Sequence, residues 1–112
     1  MKDELEHWIL DGHEPIPVDL LTWAKWFEKG DRVVQQDTVG RYWISTVFLG
    51  LDHRFGQPGP PLLFESMAFG DANERGYRED LDQNRYATWD EAVAGHEAML
   101  AEWTRKHEEE TK

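Results

Sequence analysis

The chain contains no cysteine. Disulfide frameworks, thiolate zinc sites and cysteine nucleophiles are therefore excluded. No apolar run is long enough to cross a bilayer, and the polar, acidic opening is unlike a secretory leader, so neither a membrane span nor a signal peptide is expected. The expected compartment is the cytoplasm. Positive charge is scarce: 12 Lys and Arg stand against 23 Asp and Glu, a formal net charge of −11. A field of that sign repels nucleic-acid phosphates and anionic membranes. Duplex nucleic acid is not an expected partner, whereas a small anionic ligand stays open, because a few local Arg side chains can hold one phosphate. His7, His13, His53, His96 and His107 show no H-E-x-x-H or comparable spacing, and Walker and Rossmann glycine loops are missing. No metal and no cofactor is expected. Ser45 and Thr46 have no companion His/Asp constellation legible in the sequence, which argues against a serine hydrolase.

What is present suffices for one core. Hydrophobic residues make up 39% of the 112, with six Trp and five Phe, so a single domain spanning 1–112 is expected. Residues 1–17 read as an extended strap, because Asp11-Gly12 is a turn signal and Pro15 and Pro17 push their predecessors out of the helical region. Leu20, Trp23, Ala24 and Phe27 recur at helical spacing behind Asp19, and Gly30 stands where a left-handed C-terminal residue belongs. Val33, Val34 and Val39 mark a strand that turns at Gly40 into the next one.

The centre of the chain is the stretch from Arg41 to Phe69, two strand-like runs joined by a Gly/Pro-rich connection. Tyr42, Ile44, Thr46 and Phe48 fall on one face of the first run, and Trp43, Ser45, Val47 and Leu49 on the other. Leu62 to Phe69 divides in the same way. A half-exposed sheet alternates apolar with polar residues, but here both faces are largely apolar, so each is expected to be covered. Helices cover one face; a partner chain, a strap or a ligand covers the other. Residues 70–87 read as a polar loop. Thr88 and Glu91 form a T-x-x-E capping box ahead of a helix whose stripe holds Trp89, Ala92, Val93, His96, Met99, Leu100 and Trp103. Residues 106–112 read as a frayed tail.

Several residues invite a chemical reading, each beside a blander one. Asp52, His53 and Arg54 put an acid, an imidazole and a guanidinium at a strand end, where ligands often bind; a plain turn stabilised by Asp52 explains them equally. Glu65 lies between Leu63 and Met67 and needs a partner if buried; His53 and Arg41 are the candidates, and a Glu–His pair could serve acid/base chemistry, while a structural ion pair or an edge position explains the residue as well. Aromatics such as Trp43, Phe55, Tyr86 and Trp89 beside Arg41, Arg54 and Arg85 suit stacking on a nucleobase while holding its phosphate, although core packing explains them too. His96 on an apolar stripe reads first as a core histidine.

Three segments, ISTVFLGLDHRFG, PPLLFESMAFG and RYATWDEAVAGHEAML, resemble the signature segments of a family of short proteins encoded by tailed phages and prophages. The opening WILDGHEPIPVDLLTWAKWFE extends that resemblance over most of the chain. It implies an accessory protein acting in the cytoplasm of an infected bacterium, with no catalytic residues to carry over. The expected fold is α+β, a small antiparallel sheet of three or four strands with an N-terminal and a C-terminal helix packed on one face. The expected function is non-enzymatic: an oligomer, most simply a dimer, that sequesters a nucleotide-derived signalling ligand in a pocket formed by Arg41, Trp43, Asp52, His53, Arg54, Glu65 and Tyr86. The alternatives are an acidic inhibitor of a host defence or nucleic-acid-binding protein, and a phage assembly protein.

Overall fold

A computed structural model describes residues 7–112. Within the stretch expected as a strap, residues 1–6 lie outside the described residues and the remainder forms a hairpin. Strand β1 (His7–Asp11) pairs antiparallel with β2 (Glu14–Val18) across the two-residue turn Gly12-His13. Gly12 has φ +64°, a left-handed value that glycine adopts freely and that the Asp-Gly dipeptide signals. Pro15 and Pro17 lack an N–H yet fit β2, which has a paired neighbour on one side only. The Trp8 N–H donates to the Gly50 carbonyl (2.9 Å) and ties the hairpin to the following sheet.

Helix α1 (Leu20–Lys29) starts at Asp19, whose carboxylate accepts the Thr22 N–H at 2.8 Å. It ends at Gly30 with φ −70° and ψ 146°, extended rather than left-handed as the sequence suggested. Glycine is required there by packing: a Cβ would lie 2.5 Å from the Trp26 ring.

The main sheet is an antiparallel meander of β3 (Val33–Val39), β4 (Tyr42–Phe48), β5 (Phe64–Ala72) and β6 (Arg78–Tyr86), neighbours in chain order. Strand β6 lies where a polar loop was expected. Its run of Glu79, Asp80, Asp82, Gln83 and Asn84 has low strand propensity, but pairing with β5 along one edge overrides that preference. Helix α2 (Trp89–Glu110) has both bonds of the capping box: the Thr88 hydroxyl accepts the Glu91 N–H and the Glu91 carboxylate accepts the Thr88 N–H, each at 3.1 Å. It runs through most of the expected tail.

Helix α2 lies along all four strands of the sheet. Met99 and Trp103 pack with Tyr42, Ile44 and Ala68 in one buried cluster. Trp8, Phe48, Leu63, Phe64, Tyr86 and Ala92 form a second. Helix α1 contacts β1, and its Trp26 and Phe27 rings reach Phe48 at 5.7 Å and 6.3 Å. The architecture is α+β with a two-stranded and a four-stranded antiparallel sheet. Among the described residues, no helix is long and apolar enough to cross a membrane.

Candidate binding face

Alternation along the strands divides the main sheet into unlike faces. Tyr42, Ile44, Thr46 and Phe48 are buried on the α2 side together with Phe64, Ser66 and Ala68. On the other side Trp43, Val47, Glu65, Met67 and Phe69 are half-buried, and α2 is the one described element that lies along the sheet. Register aligns this open face: Trp43 stands opposite Phe69, Ser45 opposite Met67, and Val47 opposite Glu65. The Trp43 and Phe69 rings stack at 5.1 Å with 29° between their planes. The Arg78 guanidinium lies 5.6 Å from the Trp43 ring centre while its Nη1 donates to the Gly70 carbonyl at 2.8 Å. At the other end Glu65 Oε2 accepts from Arg85 Nε (2.9 Å) and Gln83 Nε2 (2.8 Å). The partner that a half-buried Glu65 requires is therefore Arg85 on the adjacent strand, and neither His53 nor Arg41.

The expected pocket residues do not converge. Trp43 and Glu65 share the open face, but Tyr86 is buried on the opposite side with its phenol against Gly95. Arg41 is engaged at the end of the sheet, where it donates to Asp71 (3.3 Å) and to the Tyr42 hydroxyl (3.0 Å) and approaches Glu110 (3.5 Å). The Tyr42 hydroxyl donates to Glu110; that bond holds the phenol pKa above and the carboxyl pKa below their ordinary values. Asp52 accepts the N–H groups of Arg54 and Leu62, both at 2.9 Å, and so closes the connection between β4 and β5. His53 Nδ1 bonds the Leu51 carbonyl (2.9 Å), and Arg54 Nε donates to the Pro60 carbonyl. Phe69, Met67, Arg78 and Arg85 complete the open face in place of these residues. Alternation flags the first two; Arg85 is legible only as a neighbour of Tyr86, and the placement of both arginines on this face is hidden because β6 reads as a loop.

Beneath α2 runs a polar chain around His96, whose core placement the helical stripe flags and whose partners have no signal in the sequence. His96 is fully buried, with Nε2 2.7 Å from Asp37 Oδ2 and Nδ1 2.7 Å from Thr46 Oγ1, which is 2.5 Å from Ser66 Oγ. Donation from Ser66 to Thr46, Thr46 to Nδ1 and Nε2–H to Asp37 satisfies every member. The His96 bond holds the Asp37 carboxyl below its ordinary pKa, with the Gln35 amide adding to it. An acid, an imidazole and a hydroxyl in that order resemble a hydrolase triad. Thr46 and Ser66 have no exposed surface, so no substrate reaches the hydroxyls; the chain joins β3, β4 and β5 to α2.

A cleft of about 610 Å³ lies between the hairpin and the start of α2, lined among others by Trp8, Asp11, His13, Glu14, Trp89 and Asp90. The His13 and Trp89 rings stack there at 3.8 Å, 5° from parallel. Among the described residues no group of His, Asp and Glu is arranged to hold a metal ion. No family model, curated protein or solved structure matches the chain.

Proposed function

We propose that the protein is a non-enzymatic binding protein that holds a small nucleotide-like ligand against the open face of its sheet, within an oligomer. The observation that carries this reading is the character of that face. On a chain of net charge −11, it offers a stacked Trp43–Phe69 pair with Arg78 over the indole and a Glu65–Arg85 pair nearby. An aromatic platform takes a base by its π-face, at roughly 1–3 kcal/mol per stacked base. A guanidinium beside it donates to a phosphate, and Glu65 accepts from hydroxyl or amino groups. Both helices packing on the Phe48 side, which the Trp26 and Phe27 contacts support, leave this face for the ligand. The resemblance to short phage proteins agrees with a role in the infected cell's cytoplasm, where removing a signalling nucleotide disables a defence without chemistry.

The test is a thermal-shift screen against cyclic mononucleotides, cyclic oligonucleotides and ADP-ribose derivatives, followed by mass spectrometry of the released compound. A ligand at about 100 times its Kd adds roughly 2.7 kcal/mol. Stabilisation that Trp43→Ala abolishes, with intact release, supports the reading; conversion of the compound, or no response from any class, contradicts it. The alternative, an acidic inhibitor, draws on the cleft, where Asp11, Glu14 and Asp90 surround an indole. It expects binding to a basic host protein that weakens steeply with salt.

A further inference from the structure

The open face has a balance of charge that the remainder of the chain lacks. Its acids are Glu65, paired with Arg85, and Asp80, which stands opposite Phe69 at the sheet margin. Arg85 and Arg78 match them, and β4 contributes only Trp43, Ser45 and Val47. Elsewhere the remaining 21 acids (23 less Glu65 and Asp80) against 10 Lys and Arg (12 less Arg78 and Arg85) keep copies apart by repulsion. A nucleic acid would need cations in excess on this face, and a basic protein would need acids. A neutral face that mixes apolar residues with Gln36, Thr38 and Gln83 fits a second face of the same make-up.

The β6 edge of the sheet is blunted against association. On β6 the Gln83 and Arg85 N–H groups are taken by Asp82 Oδ1 (2.9 Å) and Asn84 Oδ1 (3.1 Å) of the preceding residues. The β5–β6 ladder is further broken by register shifts around Phe69, and β3 carries one between Val33 and Gln35. Self-capped donors, bulges and acidic side chains blunt an edge against strand addition. Pairing between copies along β6 is thereby disfavoured relative to pairing through the face.

The area lies near the lower bound for a specific interface. Four strands about 4.8 Å apart and about 23 Å long present roughly 440 Å², or about 900 Å² over two copies. That approaches the ~1,000 Å² at which specific interfaces begin. A cleft of about 400 Å³ at the Val33–Val47 end, also lined by Phe48 and Leu49, adds concave surface, and Val33 is 41% exposed beside it.

We infer that a second copy of this chain covers the open face in a two-fold, face-to-face dimer, and that the nucleotide site is complete only there. One copy offers a base a single stacking surface at Trp43 and Phe69; the partner supplies the opposing wall. The inference rests on the reading of this face as the binding surface. Its experiment uses no nucleotide, so the two can fail separately. Sedimentation equilibrium of the full chain from low to high micromolar concentration is expected to show the mass rising from 13.2 kDa to twice that value. Over the same range, oxidation of Met67 by hydroxyl radicals is expected to slow several-fold while that of Met99, already buried between α2 and the sheet, stays constant. Met67→Glu places a charge at the centre of the face and is expected to remain at 13.2 kDa with an unchanged circular dichroism spectrum. A wild-type chain monomeric throughout, or a dimer whose Met67 oxidises as fast as the monomer's, overturns the inference. If Met67→Glu fails to fold, the wild-type Met67 protection decides alone.

Discussion

Thr46→Val is the sharpest probe of the buried chain, because it keeps the side-chain shape and removes one oxygen. In the assignment that satisfies every member of the chain, that oxygen accepts from Ser66 and donates to His96 Nδ1. Its loss removes two hydrogen bonds, each worth about 1 kcal/mol net, and leaves the ring nitrogen of a residue with no exposed surface unsatisfied, at about 1–3 kcal/mol. The added methyl offsets about 0.8 kcal/mol, so the expected net loss is about 3 kcal/mol. At roughly 2.1 cal/mol/K of unfolding entropy per residue, that lowers the Tm of a 112-residue chain by about 13 °C. Denaturant titration and thermal melts followed by circular dichroism measure both. Replacing both partners, as in Thr46→Val with His96→Leu, leaves fewer orphaned groups, so the double variant should lose clearly less than the sum of the single ones. A Thr46→Val protein within about 0.5 kcal/mol of wild type, or strictly additive variants, would refute the hydrogen-bonded account of this chain.

Asp37 has its pKa lowered in the folded protein by His96, so its contribution is fully present above the unfolded value of 3.8 and is lost as pH falls through the folded pKa. The stability gap between wild type and Asp37→Asn, followed by urea denaturation across pH, should be flat near neutrality and close only in acid. Gly95→Ala should destabilise despite the better helix propensity of alanine, because the new Cβ lies 2.2 Å from the Tyr86 phenol; the clash costs about 1–3 kcal/mol against a propensity gain of about 1. Thr88→Ala removes the cap of α2 and should cost about 1 kcal/mol in a thermal melt, with no change in the oligomer mass.

The elements legible in the sequence are those whose reasons are local. The alternation of Tyr42 to Phe48 locates β4 and sorts its two faces, and the Thr88–Glu91 box places the start of α2 at the residue where it begins. Strand β6 is hidden because only Leu81 and Tyr86 of its residues are aliphatic or aromatic, and its pairing is dictated by β5. The hairpin is masked by its prolines, although Asp11-Gly12 carries the turn signal. Site geometry is the least legible. Asp37 and His96 meet across 59 residues, and Tyr86 turns to the α2 side because the register with Phe64 sets its parity. Arg41 and Asp52, chosen for their charge, are occupied by neighbours that no local pattern reveals.

The claim that the open sheet face is the working surface is tested most directly by ¹⁹F NMR of protein labelled with 5-fluorotryptophan, titrated with a nucleotide that raises the melting temperature. Trp43→Phe assigns the reporter on the open face, while Trp89 reports on the cleft and Trp103 on the buried side of the sheet. The account predicts that the Trp43 resonance shifts and saturates with the ligand while the Trp89 and Trp103 resonances stay in place. A shift at Trp89 with Trp43 unmoved would contradict it and transfer the binding site to the cleft.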